Sequence, residues 1–191
     1  MAQGTQVGYN KGEDKRKPQM NITLTLPKKE TKKGWENSPL TPLTEANNQN
    51  KGSFGTYVVK AVLEAAGETC KVISDKGDLE ATNGRSEVKA AFASYTNTSV
   101  ALWWNQVRPA QGGWSRLHLV GFFADKVMVW EMSKDEFLSL DDTIVTDGHV
   151  TGDADGALKE VKVRKNSKTD TISFLDEYLI ATISADDVTL M

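Results

Sequence analysis

Apolar residues recur at helical spacing in "GSFGTYVVKAVLEAAG", where Val58, Val59, Val62, Leu63 and Ala66 share a face, with Ser53 as cap and Gly67 as terminator. A first core helix is predicted there. Beyond it the period changes to two: "CKVIS" and "DLEAT" read as short strands, and "SEVKAAFA" as a return strand after Asn83-Gly84, the strongest short hairpin signal in the chain. "VALWWNQV" fits a strand or a helix equally. "RLHLVGFF" and "KVMVWEM" read as two largely buried strands split by the turn "ADK", and "SKDEFLSL" as a short helix capped by Ser133 with Glu136 three residues on. "LKEVKVRKN" alternates as a strand, and "SFLDEYL" suggests a helix. The mixture predicts an α/β domain, a mixed sheet flanked by helices.

The first fifty residues have a different texture. Four of the five prolines (Pro18, Pro27, Pro39 and Pro42) lie there among Lys, Asn, Gln and Thr, with few apolar positions and eight Lys or Arg against five Asp or Glu. Residues 1–50 therefore read as a flexible basic N-terminal arm, either simply solvated or following a DNA backbone, and residues 51–191 as the core domain. The 191-residue chain is 39% apolar and carries 23 basic and 26 acidic residues, so any polyanion site must be local. Cys70 has no partner for an internal disulfide, and no window has the length and apolarity of a signal core or membrane span. A soluble cytoplasmic protein is expected.

At the Asn83-Gly84 turn, a two-residue type I′ loop would set Glu80 opposite Glu87, Leu79 opposite Val88 and Asp78 opposite Lys89. Leu79, Ala81 and Val88 then share an inward face, while Asp78, Glu80, Glu87 and Lys89 share the other. Directly opposed carboxylates cost up to ~1 kcal/mol, an objection that a bound divalent cation removes. Mg²⁺ typically takes one or two carboxylates and keeps several waters. The bland reading of the same face is an exposed Glu-x-Lys ion pair.

Asp78, then Glu87-Val88-Lys89 after eight intervening residues, follows the "GSFG" helix and precedes "WWNQVRPAQGGWSRLHLVGFFADKVMVWEM". This arrangement, over residues 51–137, resembles the PD-(D/E)XK nuclease superfamily, restriction-endonuclease-like in type. The resemblance implies a restriction-endonuclease-like fold with Asp78 and Glu87 as ligands of Mg²⁺, Lys89 as the catalytic lysine and Gln106 as a supporting residue. Gly77 stands where the motif has proline, and Thr56 where many relatives place a glutamate; Glu64 is either a substitute or a surface residue. Glu80 is a further potential ligand. The implied activity is Mg²⁺-dependent, site-specific hydrolysis of double-stranded DNA by a homodimer of the type II restriction kind. A phage recombination or homing nuclease would use the same residues, and a noncatalytic DNA-binding or assembly protein would keep the hairpin as architecture.

For recognition, "NQVRPAQGGW" offers Asn105, Arg108, Gln111 and Trp114, types suited to base edges or phosphates. Lys159, Lys162, Arg164, Lys165 and Lys168 in "KEVKVRKNSK" form the best backbone-contacting patch, with a solvated charge run as the alternative reading. Trp103 and Trp104 read as core residues rather than stacking platforms. "TGDADG" fails as a calcium loop because Thr151 and Lys162 occupy ligand positions, and His118 and His149 lack partners at zinc spacing. No phosphate-binding glycine loop, nucleophile elbow or dinucleotide fingerprint is present.

Overall fold

The computed structural model describes residues 22–24, 32–73, 79–110, 113–148 and 158–190. Asp78, Gln111, His149 and residues 151–156 lie outside them. The long helix α1 (Asn48–Ala65) starts earlier than Ser53: Asn47 caps it by accepting from the Asn50 N–H at 2.8 Å, and the Ser53 hydroxyl donates to the Gln49 carbonyl from inside the helix. At the other end Gly67 takes φ 91°, and the N–H groups of Gly67 and Glu68 return to the carbonyls of Glu64 and Leu63. This Schellman turn aims Glu68 back toward the sheet.

Strands β1 (Ile22–Leu24) and β12 (Val188–Leu190) form a parallel pair. A six-stranded mixed sheet runs in the order β11 (Leu179–Ser184), β8 (Lys126–Ser133), β7 (Arg116–Phe122), β4 (Gly84–Phe92), β3 (Leu79–Ala81) and β2 (Cys70–Val72). Only its β4–β7 contact is parallel. A four-stranded antiparallel sheet runs β5 (Ser94–Tyr95), β6 (Ser99–Val107), β10 (Lys159–Asn166) and β9 (Val145–Asp147). The ambiguous "VALWWNQV" is thus a strand. "SKDEFLSL" forms α2 (Lys134–Leu138) with the expected Ser133/Glu136 capping box, while "SFLDEYL" tightens into a 3₁₀ turn over Ser173–Tyr178. The α/β expectation holds as a large mixed sheet with few helices.

Alternation puts α1 and the second sheet on opposite faces of the large one. Helix α1 approaches so closely that a Cβ on Gly55 would sit 2.7 Å from the Ala90 Cβ. On the other face, Trp104 meets Trp130 edge-on at 5.6 Å and donates its indole N–H to the Val120 carbonyl. Gly121 admits that layer, since a Cβ there would meet Leu102 and Trp130 at 2.9 Å.

The expected domain boundary at residue 50 is corrected within the described part of the arm. Trp35, Leu40 and Leu43 are 1%, 0% and 0% exposed, and the Trp35 indole donates to the Ala93 carbonyl at 3.0 Å. Few apolar residues lie in this stretch, but they are large, and each fully buried side chain of this kind contributes roughly 1.5–3 kcal/mol. Residues 35–46 therefore belong to the core.

Candidate functional site

The Asn83-Gly84 hairpin forms with a register two residues away from the expected one. Thr82 and Asn83 make the turn, Gly84 alone takes positive φ (120°), and Ala81, Glu80 and Leu79 face Gly84, Arg85 and Ser86. A type I′ loop needs positive φ at both central residues, which Asn83 does not adopt. Glu80 consequently stands opposite Arg85, not Glu87, and the expected carboxylate opposition is absent. Because the shift is even, the faces survive: Leu79 and Val88 point inward, while Glu80 is exposed on the other side with Glu87 and Lys89.

Strand β3 pairs with this edge of β4 as far as Ser86. A cleft of ≈ 470 Å³ opens along it. One wall is the first half of α1, with Lys51, Gly52 and Thr56; the other is β6, with Trp103, Asn105 and Gln106; Lys89 lies between them. Beside it, Lys89 Nζ contacts Glu87 Oε1 at 2.6 Å, their side chains being 23% and 15% exposed. The partial burial of both charges makes this pair more than an idle surface contact. Lys51 is a second cation in the cleft, its pKa lowered first by burial and then by Lys32.

Gln106 reaches the cleft through an irregularity that sequence pattern does not reveal. Val107 pairs with Lys159 and Trp104 with Val161, leaving Asn105 and Gln106 opposite Glu160 alone, a β-bulge. Gln106 adopts φ 58°, uncommon for a side-chain-bearing residue. Replacing Gln106 with Asn, which tolerates this conformation better, should leave stability unchanged or raise it by up to ~1 kcal/mol. The shorter side chain should nevertheless lower activity at the cleft. Urea unfolding beside an activity assay checks both halves.

The remaining sequence candidates divide. Asn105 lines the cleft, and Lys162, Arg164 and Lys165 are exposed on β10, where Lys162 pairs with Glu160 and Lys165 with Asp170. Trp114 is 4% exposed, and its indole donates to the Arg108 carbonyl at 3.3 Å. Trp114 is a packing residue, not a stacking platform. The side chain of Arg108 is half-buried on the same turn. Trp103, read as core, is 53% exposed, whereas Trp104 is fully buried. Strand alternation separates these neighbours.

Sequence reading missed Lys51, because the helix start was placed after it, and missed a polar cluster beneath α1. Arg116 donates two hydrogen bonds to Glu131 at 2.8 Å and two to Glu68 at 2.9 and 3.0 Å. His118, fully buried, donates Nε2–H to Glu131 Oε2 at 3.2 Å, since an ionised carboxylate only accepts. The period-two spacing of Arg116 and His118 was the available signal; their acidic partners come from other elements.

Neither family profiles nor curated proteins match this chain. A solved structure of a bacterial homing endonuclease, I-Ssp6803I, is similar at 14% identity and a TM-score of 0.42, covering 71% of this chain and 88% of that one. No helix among the described residues is long and apolar enough to cross a membrane.

Proposed function

We propose that the chain is a Mg²⁺-dependent DNA endonuclease acting at the β4 cleft. The observation that carries this reading is the half-buried Glu87–Lys89 pair beside the cleft, faced by Lys51 and the bulged Gln106. Among the described residues no three His, Cys, Asp or Glu side chains gather as a complete cage. One or two carboxylates and substrate phosphate suffice for Mg²⁺, however, and Glu87 retains Oε2 beyond the oxygen that Lys89 contacts. Glu87, with Asp78, is assigned to hold the ion; exposed Glu80, displaced opposite Arg85, is the weaker candidate. When bound, Mg²⁺ supplies an acidified water and charge neutralisation at the scissile phosphate.

The protein's own groups position and neutralise. Lys89 Nζ places a compact positive charge where the phosphoryl oxygens gain charge, and Lys51 adds a second cation on the helix wall. Gln106 orients the attacking water or the phosphate from the opposite wall. Asn105 reaches the flanking nucleotides, with Arg108 and Gln111 assigned to base edges and Lys162, Arg164 and Lys165 to the backbone. Cutting both strands of a duplex at a fixed site is most simply done by a homodimer. The type II restriction role is the leading biological assignment, with phage recombination or homing as the alternatives.

The contact between Glu87 and Lys89 also supports the noncatalytic reading, in which the ion pair is architectural and the protein only binds DNA. Incubation with mixed-sequence supercoiled plasmid in Mg²⁺, Mn²⁺ or EDTA separates the readings. Discrete, metal-dependent linear bands are the expected result. A smear from linear ends would favour an end-trimming nuclease, and binding without cleavage in either metal would support the noncatalytic protein.

A further inference from the structure

A second concavity of ≈ 650 Å³ lies on the outer face of the four-stranded sheet, and Trp103 lines both it and the β4 cleft. Its rim holds two exposed aromatics, Trp103 (53%) and Phe174 (49%). Its charged lining residues are both cations, Lys162 and Arg164, with the hydroxyls of Thr143 and Thr171 beside them. Lys162 Nζ stands over the Trp103 ring at 4.4 Å from the centroid, a cation–π contact. Exposed rings among like-signed cations suit an anionic, flat, aromatic ligand. Nucleic-acid bases combine these properties, but in a paired duplex each base face is covered by its neighbours. A base can stack on a protein ring only where it is unpaired.

We propose that the Trp103–Phe174 groove is a base-stacking subsite for a single-stranded DNA segment continuous with the strand that enters the β4 cleft. Resting on the nuclease reading, this makes the substrate class duplex DNA with an unpaired stretch next to the scissile bond. Arg164 neutralises a phosphate beside the stacked base, and Lys162 another on leaving the Glu160 carboxylate that it contacts at 2.7 Å. Trp103, at the junction of the two hollows, sets the distance between that base and Lys89.

Fluorescence anisotropy in EDTA with labelled oligothymidylate and a labelled, fully paired hairpin duplex tests this directly. Trp103→Ala should weaken oligothymidylate binding by roughly 5- to 150-fold, the range for loss of one base–aromatic stack, while changing duplex binding less than about twofold. Phe174→Ala should act in the same direction, and Trp103→Phe should retain most of the affinity. Equal losses on both probes, or no loss on oligothymidylate, would overturn the proposal. So would a Trp103→Ala protein that binds both probes normally but sediments as a smaller species, which would make the face a contact between copies of the chain. Anisotropy in EDTA reads binding without cleavage, so a wild-type protein that binds oligothymidylate through Trp103 but does not cut plasmid in Mg²⁺ separates failure of the cleavage chemistry from failure of the stacking subsite.

Discussion

Lys89→Ala and Glu87→Gln should each lower plasmid cleavage by on the order of 10²–10³-fold, the loss typical of removing one preorganised electrostatic partner of a transition state. The two variants should differ in what else they change. Glu87→Gln removes an assigned ion ligand, so it should also reduce the stabilisation that Mg²⁺ confers in a thermal melt. Lys89→Ala removes a charge that repels the ion, so Mg²⁺ stabilisation should persist or increase. Because the side chains of Lys89 and Glu87 are 23% and 15% exposed and 2.6 Å apart, either variant alone leaves its partner unpaired at the cleft rim. A loss of stability of about 1–3 kcal/mol is therefore expected for each, and a Glu87→Gln/Lys89→Met double variant should recover part of it. If the pair were only architectural, the double variant would keep whatever activity the wild type has. Plasmid cleavage by the folded double variant would end the assignment of chemistry to this cleft.

The largest expected stability effect lies outside the cleft. Arg116→Ala should cost roughly 3–5 kcal/mol, because it strands two carboxylates, Glu68 and Glu131, around a side chain that is 12% exposed. That is a large fraction of the ~5–15 kcal/mol by which domains are stable. The same cluster sets an acid limit. The hydrogen bond from His118, followed by those from Arg116, holds the Glu131 carboxyl at about 2, below its ordinary value of 4.5, while Arg116 also lowers Glu68. Carboxyls depressed in the folded state add stability that is fully present above the unfolded pKa. It is lost as pH falls from about 4.5 toward about 2. Urea unfolding of the wild type across that window should show a steep decline, which Arg116→Ala should flatten as well as lower. A uniform drop with an unchanged acid slope would reduce Arg116 to a packing role. Through Glu68, which follows the Schellman turn, Arg116 ties the end of α1 to β7 and β8. The helix wall of the cleft is thereby held against the sheet, and Arg116→Ala should impair the site at a distance.

Local chemistry was legible along the chain wherever one element decides its own conformation. The Ser133/Glu136 box starts α2, Gly67 ends α1, and period-two patterning puts Val161 and Val163 inward and Lys162 and Arg164 outward on β10. The Glu87–Lys89 pairing on one strand face was equally legible, since residues two apart on a strand project to the same side. Only the assembled structure decided which partner each face meets. Thr82–Asn83 displaced Asn83–Gly84 as the turn because only Gly84 takes positive φ, so Glu80 faces Arg85; one bulge turned Gln106 into the cleft; and packing against Trp130 buried Trp104 while leaving Trp103 outside. Arg116 lies 48 residues from Glu68, and Trp35 lies 58 from the carbonyl of Ala93 that its indole reaches. Sequence determined these side chains' chemistry and their local faces. Register, bulges and contacts across such separations depend on which backbones close together, and no local pattern encodes that.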